Sequence, residues 1–301
     1  MRILFTGDPF QPKLPDDTYA REAAACEQLG IPWFPINFEA IVYEQDMGQA
    51  VRRVPAAETE ELAVYRGWML TPAQYEMLHA ALLARQIRLV STPPQYELCH
   101  YLPRWYPRLE GETPRSIWTE AGEDLSLPQL LNRLRVFGDA PVIVKDWVKS
   151  RKHEWQEACF IPSASDAEAA GRVIRRFLEL QGADLNVGLV FREFVPLAPL
   201  SRHPKSGMPL TKEYRLFFWN GQLLSVSRYW DAAEYSDDAL PLAHFQALVG
   251  KINSRFFTMD VAQTVSGQWI VVELGDAQVA ELPASADPAA FYAALNTPAK
   301  L

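Results

Sequence analysis

Two tight-turn signals in the last third of the chain constrain its fold more than any other feature. Asn220-Gly221 separates the apolar runs 213–219 and 222–230. Asn-Gly readily takes the two left-handed positions of a type I′ turn, so the runs are expected to pair as an antiparallel hairpin. A two-residue turn sets Trp219 opposite Gln222, Arg215 opposite Val226 and Glu213 opposite Arg228. Glu213, Arg215 and Arg228 then share one face, with cross-strand Cβ atoms about 5 Å apart. An exposed ion pair of this kind contributes less than about 1 kcal/mol, so the hairpin alone reads equally well as ordinary sheet surface.

Ser266-Gly267 marks a second hairpin between 255–265 and 268–274. A two-residue turn here sets Asp260 directly opposite Glu273, within otherwise apolar strands. Like charges in that position repel, more so when partly buried. A divalent cation with oxygen ligands, a shared proton, or a bulge that slips the register would each relieve the conflict. The cation is the most economical of the three, with Asp276, just past Gly275, as a third oxygen source. Mg²⁺ commonly combines a few carboxylates with substrate phosphates, so a phosphate-bearing ligand is expected nearby. Lys145, at the end of the apolar run 141–145, is one cation for it. Lys149, Arg151, Lys152 and His153 follow at once. That stretch reads either as a solvated basic loop or as a flap over a triphosphate.

The remaining sequence suggests two lobes, as 301 residues with 49% hydrophobic content allow. Residues 1–100 read as an α/β lobe opening on a βαβ unit. Its strand 2–6 and helix 16–29 are followed by Gly30 as a helix stop, then by strand 32–36. Strand 60–66, a helix over 72–85 capped by Thr71, and strand 87–91 complete it. Residues 101–127, rich in Pro, Trp and charge, are expected to form an irregular linker. Residues 128–301 form the second lobe, with subdomains over about 128–195 and 196–301 and a helix over 166–180 capped by Ser165.

Several function classes are disfavoured. A net charge of −8 argues against general nucleic-acid binding. No apolar run reaches about 18 residues, so no membrane span is expected. Cys26, Cys99 and Cys159 lie far apart without CxxC spacing, which suggests reduced thiols in a cytoplasmic protein and no zinc site. There is no GxGxxG, Walker loop or kinase loop. No Ser-His-Asp or Cys-His set stands out, and His79 reads as structural.

Taken in order, several stretches resemble an ATP-grasp enzyme, and more narrowly the clade marked by two arginines and a lysine. They are Val144-Lys145-Asp146-Trp147-Val148-Lys149-Ser150, Phe191-Arg192-Glu193-Phe194-Val195, Glu213-Tyr214-Arg215, Met259-Asp260-Val261 and Glu273-Leu274-Gly275-Asp276, with Tyr65-Arg66-Gly67-Trp68 in the first lobe. The resemblance implies an α/β (α+β) fold: an N-terminal Rossmann-like βαβ lobe of the pre-ATP-grasp type, then a two-subdomain ATP-grasp fold with antiparallel hairpins. ATP would lie between the subdomains. Lys145 would reach its α- and β-phosphates, and a flap over 149–155 would cover the outer phosphates through Lys149 or Lys152. Glu193-Phe194-Val195 would be the adenine hinge, with Arg192 and Glu213 also on the nucleotide side. Asp260, Glu273 and Asp276 would hold Mg²⁺. Arg215 and Arg228, with Lys149, would act on the acyl phosphate or the substrate carboxylate. The family pattern Glu-x-Asn is replaced here by Glu273-Leu274-Gly275-Asp276.

The activity implied is an ATP- and Mg²⁺-dependent ligation of a carboxylate to an amine or thiol. Its partners would be small-molecule or peptide acids and amines, and homodimers are common in the superfamily. A phosphotransferase and a catalytically idle nucleotide-binding module are the alternatives. Arg66 and the 65–68 segment would face the substrate in the interlobe cleft, with a core role for Trp68 as the equal alternative.

Overall fold

The computed structural model describes residues 1–202, 209–230, 235 and 240–297. The chain opens with β1 (Arg2–Thr6), α1 (Ala20–Gln28) and β2 (Trp33–Ile36). Gly30, at φ +66°, ends α1, and the Ile31 N–H returns to the Cys26 carbonyl at 2.8 Å. This closure satisfies carbonyls that the last turn leaves free. β3 (Glu61–Arg66), α2 (Pro72–Leu83) and β4 (Ile87–Leu89) follow. The four strands form a parallel sheet in the order β2-β1-β3-β4. The chain therefore leaves β1 in one direction and returns on its other side, reversing between β1 and β3.

Thr92-Pro93-Pro94 begins a helix just past β4: α3 spans Pro93–His100, and the Gln95 side chain accepts from the Thr92 N–H at 2.9 Å. Residues 101–127 are not an irregular linker. They contain the helical turn Leu102–Trp105, with Trp105 buried, and β5 (Ser116–Trp118), which joins a sheet. α4 (Leu127–Leu134), β6 (Val142–Asp146), β7 (Phe160–Ile161), α5 (Ala167–Gln181) and β8 (Leu189–Glu193) complete this part. Asp166, not Ser165, caps α5, accepting from the N–H groups of Glu168 and Ala169. The sheet is antiparallel, in the order β5-β8-β6-β7. Leu130, Leu134 and Phe177 of the helices pack with Val142, Val144 and Phe191 of the strands.

β9 (Pro199–Arg202) and β10 (Pro209–Thr211) form a small ribbon. Then come β11 (Glu213–Trp219), β12 (Gln222–Arg228), α6 (Leu242–Leu248), β13 (Phe256–Gln263) and β14 (Trp269–Asp276). These strands make an antiparallel sheet in the order β12-β11-β13-β14. α7 (Pro288–Leu295) returns to the first lobe. Its Phe291 and Tyr292 join Ile3, Phe5 and Cys26, together with Phe217 and Phe256 of the last sheet, in one core. Among the described residues no helix is long and apolar enough to cross a membrane. The three cysteines are free and buried.

Both hairpins form, but neither has the simple expected register. In the first, Asn220 and Gly221 adopt φ of 48° and 79°, and Trp219 pairs with Gln222. A bulge then leaves Leu224 unpaired, and the register slips by one. Arg215 faces Ser227 rather than Val226, and Arg228 faces Tyr214 rather than Glu213. Arg228 is therefore on the opposite face from Glu213 and Arg215, which corrects the expected three-residue cluster.

In the second hairpin the turn has three residues, Val265-Ser266-Gly267, with Gly267 at φ +85° and the Thr264 N–H donating to the Gln268 carbonyl at 2.8 Å. That shifts the register one way. A bulge at Val272 shifts it back, and Asp260 pairs with Glu273 after all. Asp276 pairs with Phe257, on the other face from Glu273.

Candidate active site

Arg215 of β11, Asp260 of β13 and Glu273 of β14 lie side by side across three adjacent strands. Arg215 Nε and Nη2 donate to Asp260 Oδ1 and Oδ2 at 2.9 and 2.8 Å, and Nη1 donates to the Glu281 carbonyl at 3.1 Å. Lys145, from the other antiparallel sheet, donates to Glu273 Oε1 at 3.4 Å. A cation thus stands on each side of the two acids.

The side chain of Asp260 is 5% exposed and that of Glu273 45%, the latter facing the cleft. Burial and the Glu273 charge raise the Asp260 carboxyl above its ordinary range even though Arg215 pulls it down. Burial also works to raise Glu273, but Lys145, Arg215, Lys152 and Arg192 outweigh it and hold that carboxyl low. For Arg215, burial disfavours the charge, and Asp260 more than restores it.

Two cavities share these acids as a wall. One, of about 410 Å³, has an apolar body that includes Ile143, Trp155 and Phe194, and a polar end with Lys145, Lys152 and Arg192. The other, of about 470 Å³, is bordered by Tyr19, Phe38, Trp68 and Met69 of the parallel-sheet lobe and by Lys149 and Arg215 of the second lobe. Asp260 and Glu273 border both.

The expected nucleotide-side residues divide between the cavities. Lys152 Nζ stands 5.7 and 5.6 Å from the Tyr229 and Trp230 ring centres in the apolar cavity. Lys149, three residues earlier, opens on the other cavity. The cause is Asp146, whose carboxylate accepts from the N–H groups of Val148 and Lys149 and turns the chain there.

Arg192 Nη2 donates to the Thr113 hydroxyl at 2.8 Å and to the carbonyl of the bulged Val272 at 2.9 Å. Burial lowers its pKa to about 10. Glu213 is buried, accepts from the Thr211 hydroxyl and from Trp230 Nε1, and has its carboxyl raised by that burial. Phe194 presents its ring to the apolar cavity, 5.0 Å from Phe160 and 5.7 Å from Trp155. Glu193 and Val195, on either side of it, do not line that cavity with side chains.

Three expected members are elsewhere. Arg228 lines neither cavity. Asp276 borders the larger cavity but turns toward α2, where Oδ1 accepts from Gln278 N and Nε2 at 3.0 and 3.1 Å. Gln278 in turn donates to the Tyr75 hydroxyl at 2.7 Å. Among the described residues no three His, Cys, Asp or Glu side chains converge as a metal site. Arg66 is fully buried, paired with both oxygens of Glu22 at 2.9 Å and with the Ala280 carbonyl at 2.7 Å. It joins the lobes and does not face the cleft, whereas Trp68 is 42% exposed on the cavity wall.

The donor set suits Mg²⁺, which accepts one or two carboxylates and fills its remaining positions with water and phosphate oxygens. The position beside the pair is Gly275, which supplies no side chain, and a larger residue there would force Thr258 to move. A Cβ on Gly275 would lie 2.8 Å from Thr258 Oγ1.

His100 and Thr258 also border the larger cavity and were not anticipated. Burial and Lys149 push the His100 pKa down to about 4, so the ring is neutral. Its only local signal was the end of α3, a helix hidden behind two prolines.

No curated protein matches the chain by sequence. By structure it is similar to D-cycloserine synthetase DcsG, at 16% identity, TM-score 0.60 and 98% coverage of both chains. It is similar to a RimK domain ATP-grasp protein from Sphaerobacter thermophilus DSM 20745, at 13% identity and TM-score 0.56, over 93% of this chain and 92% of that one. It is also similar to N5-carboxyaminoimidazole synthetase from Staphylococcus aureus, at 11% and 0.54, over 91% and 69%. At such identities the likeness is one of fold. Residues 136–295 match the family described as ATP-grasp domain, R2K clade family 3. That span is more than half of the chain and carries Lys145, Arg215, Asp260 and Glu273, so the chain belongs to the R2K clade of the ATP-grasp family.

Proposed function

We propose that the chain is an ATP- and Mg²⁺-dependent ligase that joins a carboxylic acid to an amine, or to a thiol, through an acyl phosphate. The observation that carries this reading is the shared wall: two cavities of ligand size meet at one pair of acids, Asp260 and Glu273. The structural relatives named as synthetases support the reaction class, not a substrate.

The apolar cavity takes the adenine against Ile143, Phe194 and Trp155, and Lys145 and Lys152 neutralise the phosphates at its polar end. Asp260 and Glu273 would hold Mg²⁺, which when bound offsets phosphate charge and polarises the phosphoryl group. The acid lies in the larger cavity. Its carboxylate oxygen attacks the γ-phosphorus, and ADP leaves with the bonding pair. The amine then attacks the acyl carbon, loses a proton, and releases inorganic phosphate. No protein nucleophile is required. The work is positioning and charge neutralisation, and Arg215, clamped by Asp260 at two points, is a pre-set donor on the acid side.

The test is ADP release across a panel of acids and amines, with Asp260→Asn and Glu273→Gln alongside. Both variants should fold, as circular dichroism reads it. Each should lose at least a hundredfold in turnover and the Mg·ATP-induced rise in melting temperature. Full turnover in both would overturn the metal and nucleotide assignment.

A further inference from the structure

We infer that the larger cavity selects a carboxylic acid bearing an apolar, ring-sized side group, with Lys149 taking the carboxylate and Trp68, Phe38 and Met69 receiving the side group. This deepens the ligase reading and rests on it.

The apolar wall is placed by topology. In an open parallel sheet, ligands bind beyond the carboxyl ends of the strands, where the strand order reverses. Here that point lies between β1 and β3. Trp68 follows the end of β3 by two residues and Phe38 follows the end of β2 by two, while Tyr19 comes from the first turn after the loop that leaves β1. Loops from three neighbouring strands thus deliver aromatic rings to one side of one cavity.

Trp68 is held there by its backbone. Its N–H donates to the Thr6 hydroxyl at 3.3 Å, and the Tyr65 hydroxyl donates to its carbonyl at 2.9 Å. Gly67 makes this possible, because a Cβ at that position would collide with Thr6 Oγ1 and the Tyr65 ring. The indole rests edge-on against the buried Tyr19 ring, with centroids 5.9 Å apart. Even so, Trp68 remains 42% exposed and Met69 46% exposed. A Trp held at its N–H and carbonyl, braced by one neighbouring ring and still 42% exposed beside a cavity is a binding surface rather than unfinished core.

The polar end is equally specific. Lys145 and Lys152 face the other cavity, and Arg215 gives two of its donors to Asp260 and one to the Glu281 carbonyl, which leaves Lys149 as the cation without a protein acid among the described residues. Lys149 is exposed on the larger cavity and, among the described residues, has no acid within ion-pair distance. Glu281 borders the same cavity, so an α-ammonium on the acid is accommodated and amino acids qualify. A small polyanion would leave the aromatic wall unused.

The experiment measures acid binding separately from turnover. The full chain is saturated with Mg·ADP and titrated calorimetrically with phenylacetate, L-phenylalanine, glutarate and acetate. The two phenyl acids should bind at least tenfold more tightly than glutarate or acetate. Trp68→Ala should weaken the phenyl acids at least tenfold, leave the ADP and acetate affinities unchanged, and be partly rescued by Trp68→Phe. Lys149→Gln should weaken all four acids. Glutarate or acetate binding as tightly as the phenyl acids, or a Trp68→Ala effect on the phenyl acids below tenfold, overturns the inference. The ligase reading fails by a different signature: phenyl acids bind selectively, yet no acid–amine pair releases ADP.

Discussion

Arg215 and Asp260 form a buried pair in which removing either partner leaves the other's charge unmatched and lowers stability without abolishing the fold. With Asp260 only 5% exposed and Glu273 in the opposite position, Arg215→Met strands a buried carboxylate beside a second one. Loss of one partner of such a pair costs about 3–5 kcal/mol, which urea denaturation would read. Arg215→Lys restores the charge without the two parallel hydrogen bonds, so it should recover most of the stability and little of the turnover. Arg228→Met provides the contrast. Arg228 lies on the other face and lines neither cavity, so turnover should change less than threefold. Asp276 predicts a pH effect of definite sign. Burial, only partly offset by Ser91 and Gln278, lifts its pKa to about 6, so the folded chain binds that proton more tightly than the unfolded chain does. The stability this contributes is complete below about pH 4 and lost as pH rises through about 6. Asp276→Asn keeps an oxygen acceptor for Gln278 and removes the titration. Its melting temperature should match the native chain near pH 4 and exceed it above pH 6, by no more than the equivalent of about 3 kcal/mol.

The elements show which local signals carry through to structure. Thr71-Pro72-Ala73-Gln74 starts α2 as a full capping box, with Thr71 and Gln74 exchanging bonds at 2.9 and 3.3 Å. Thr71→Ala should cost about 1 kcal/mol in thermal or urea unfolding. Thr92-Pro93-Pro94-Gln95 is the same pattern, but two consecutive prolines directly after a strand are also how a strand ends, so the start of α3 has no unambiguous local signal. His100 was lost with that helix. The hairpins divide in the same way. Their turns were legible because Asn-Gly and Ser-Gly act through their own backbone preferences. Their bulges were not, because the cause lies far away in sequence. The extra residue Val272 is held through its carbonyl by Arg192, which comes from a different sheet. Asp260 and Glu273 nevertheless meet as expected, because a turn one residue longer and a bulge one residue deep offset each other. The identity of the acids was readable from the pattern. Their balancing by Arg215 and Lys145 required the register of a third strand and the approach of a second sheet.

At the scale of the whole molecule, the last helix ties the end of the chain to its beginning. α7 places Phe291 and Tyr292 against Ile3, Phe5 and Cys26 of the first lobe and against Phe217 and Phe256 of the last sheet. The Tyr292 hydroxyl reaches Glu22, the acid already clamped by Arg66, and Arg66 also holds the Ala280 carbonyl. The wall with Trp68 and the wall with Asp260 and Glu273 are thus seated on one continuous core, which fixes the width of the cavity between them. A cavity that selects by the size of a side group requires such a fixed width. The lobes should consequently unfold together. Phe291 is 2% exposed, and Phe291→Ala removes a ring from the point where both sheets meet, at a cost of about 3–5 kcal/mol. Native-state hydrogen exchange should show protection falling by the same amount in β1 and in β11. Calorimetry should show a single transition moving down as one. If β1 alone lost protection while β11 kept its native value, the lobes would be energetically separate, and the fixed spacing between the aromatic wall and the acid pair would lose its structural basis.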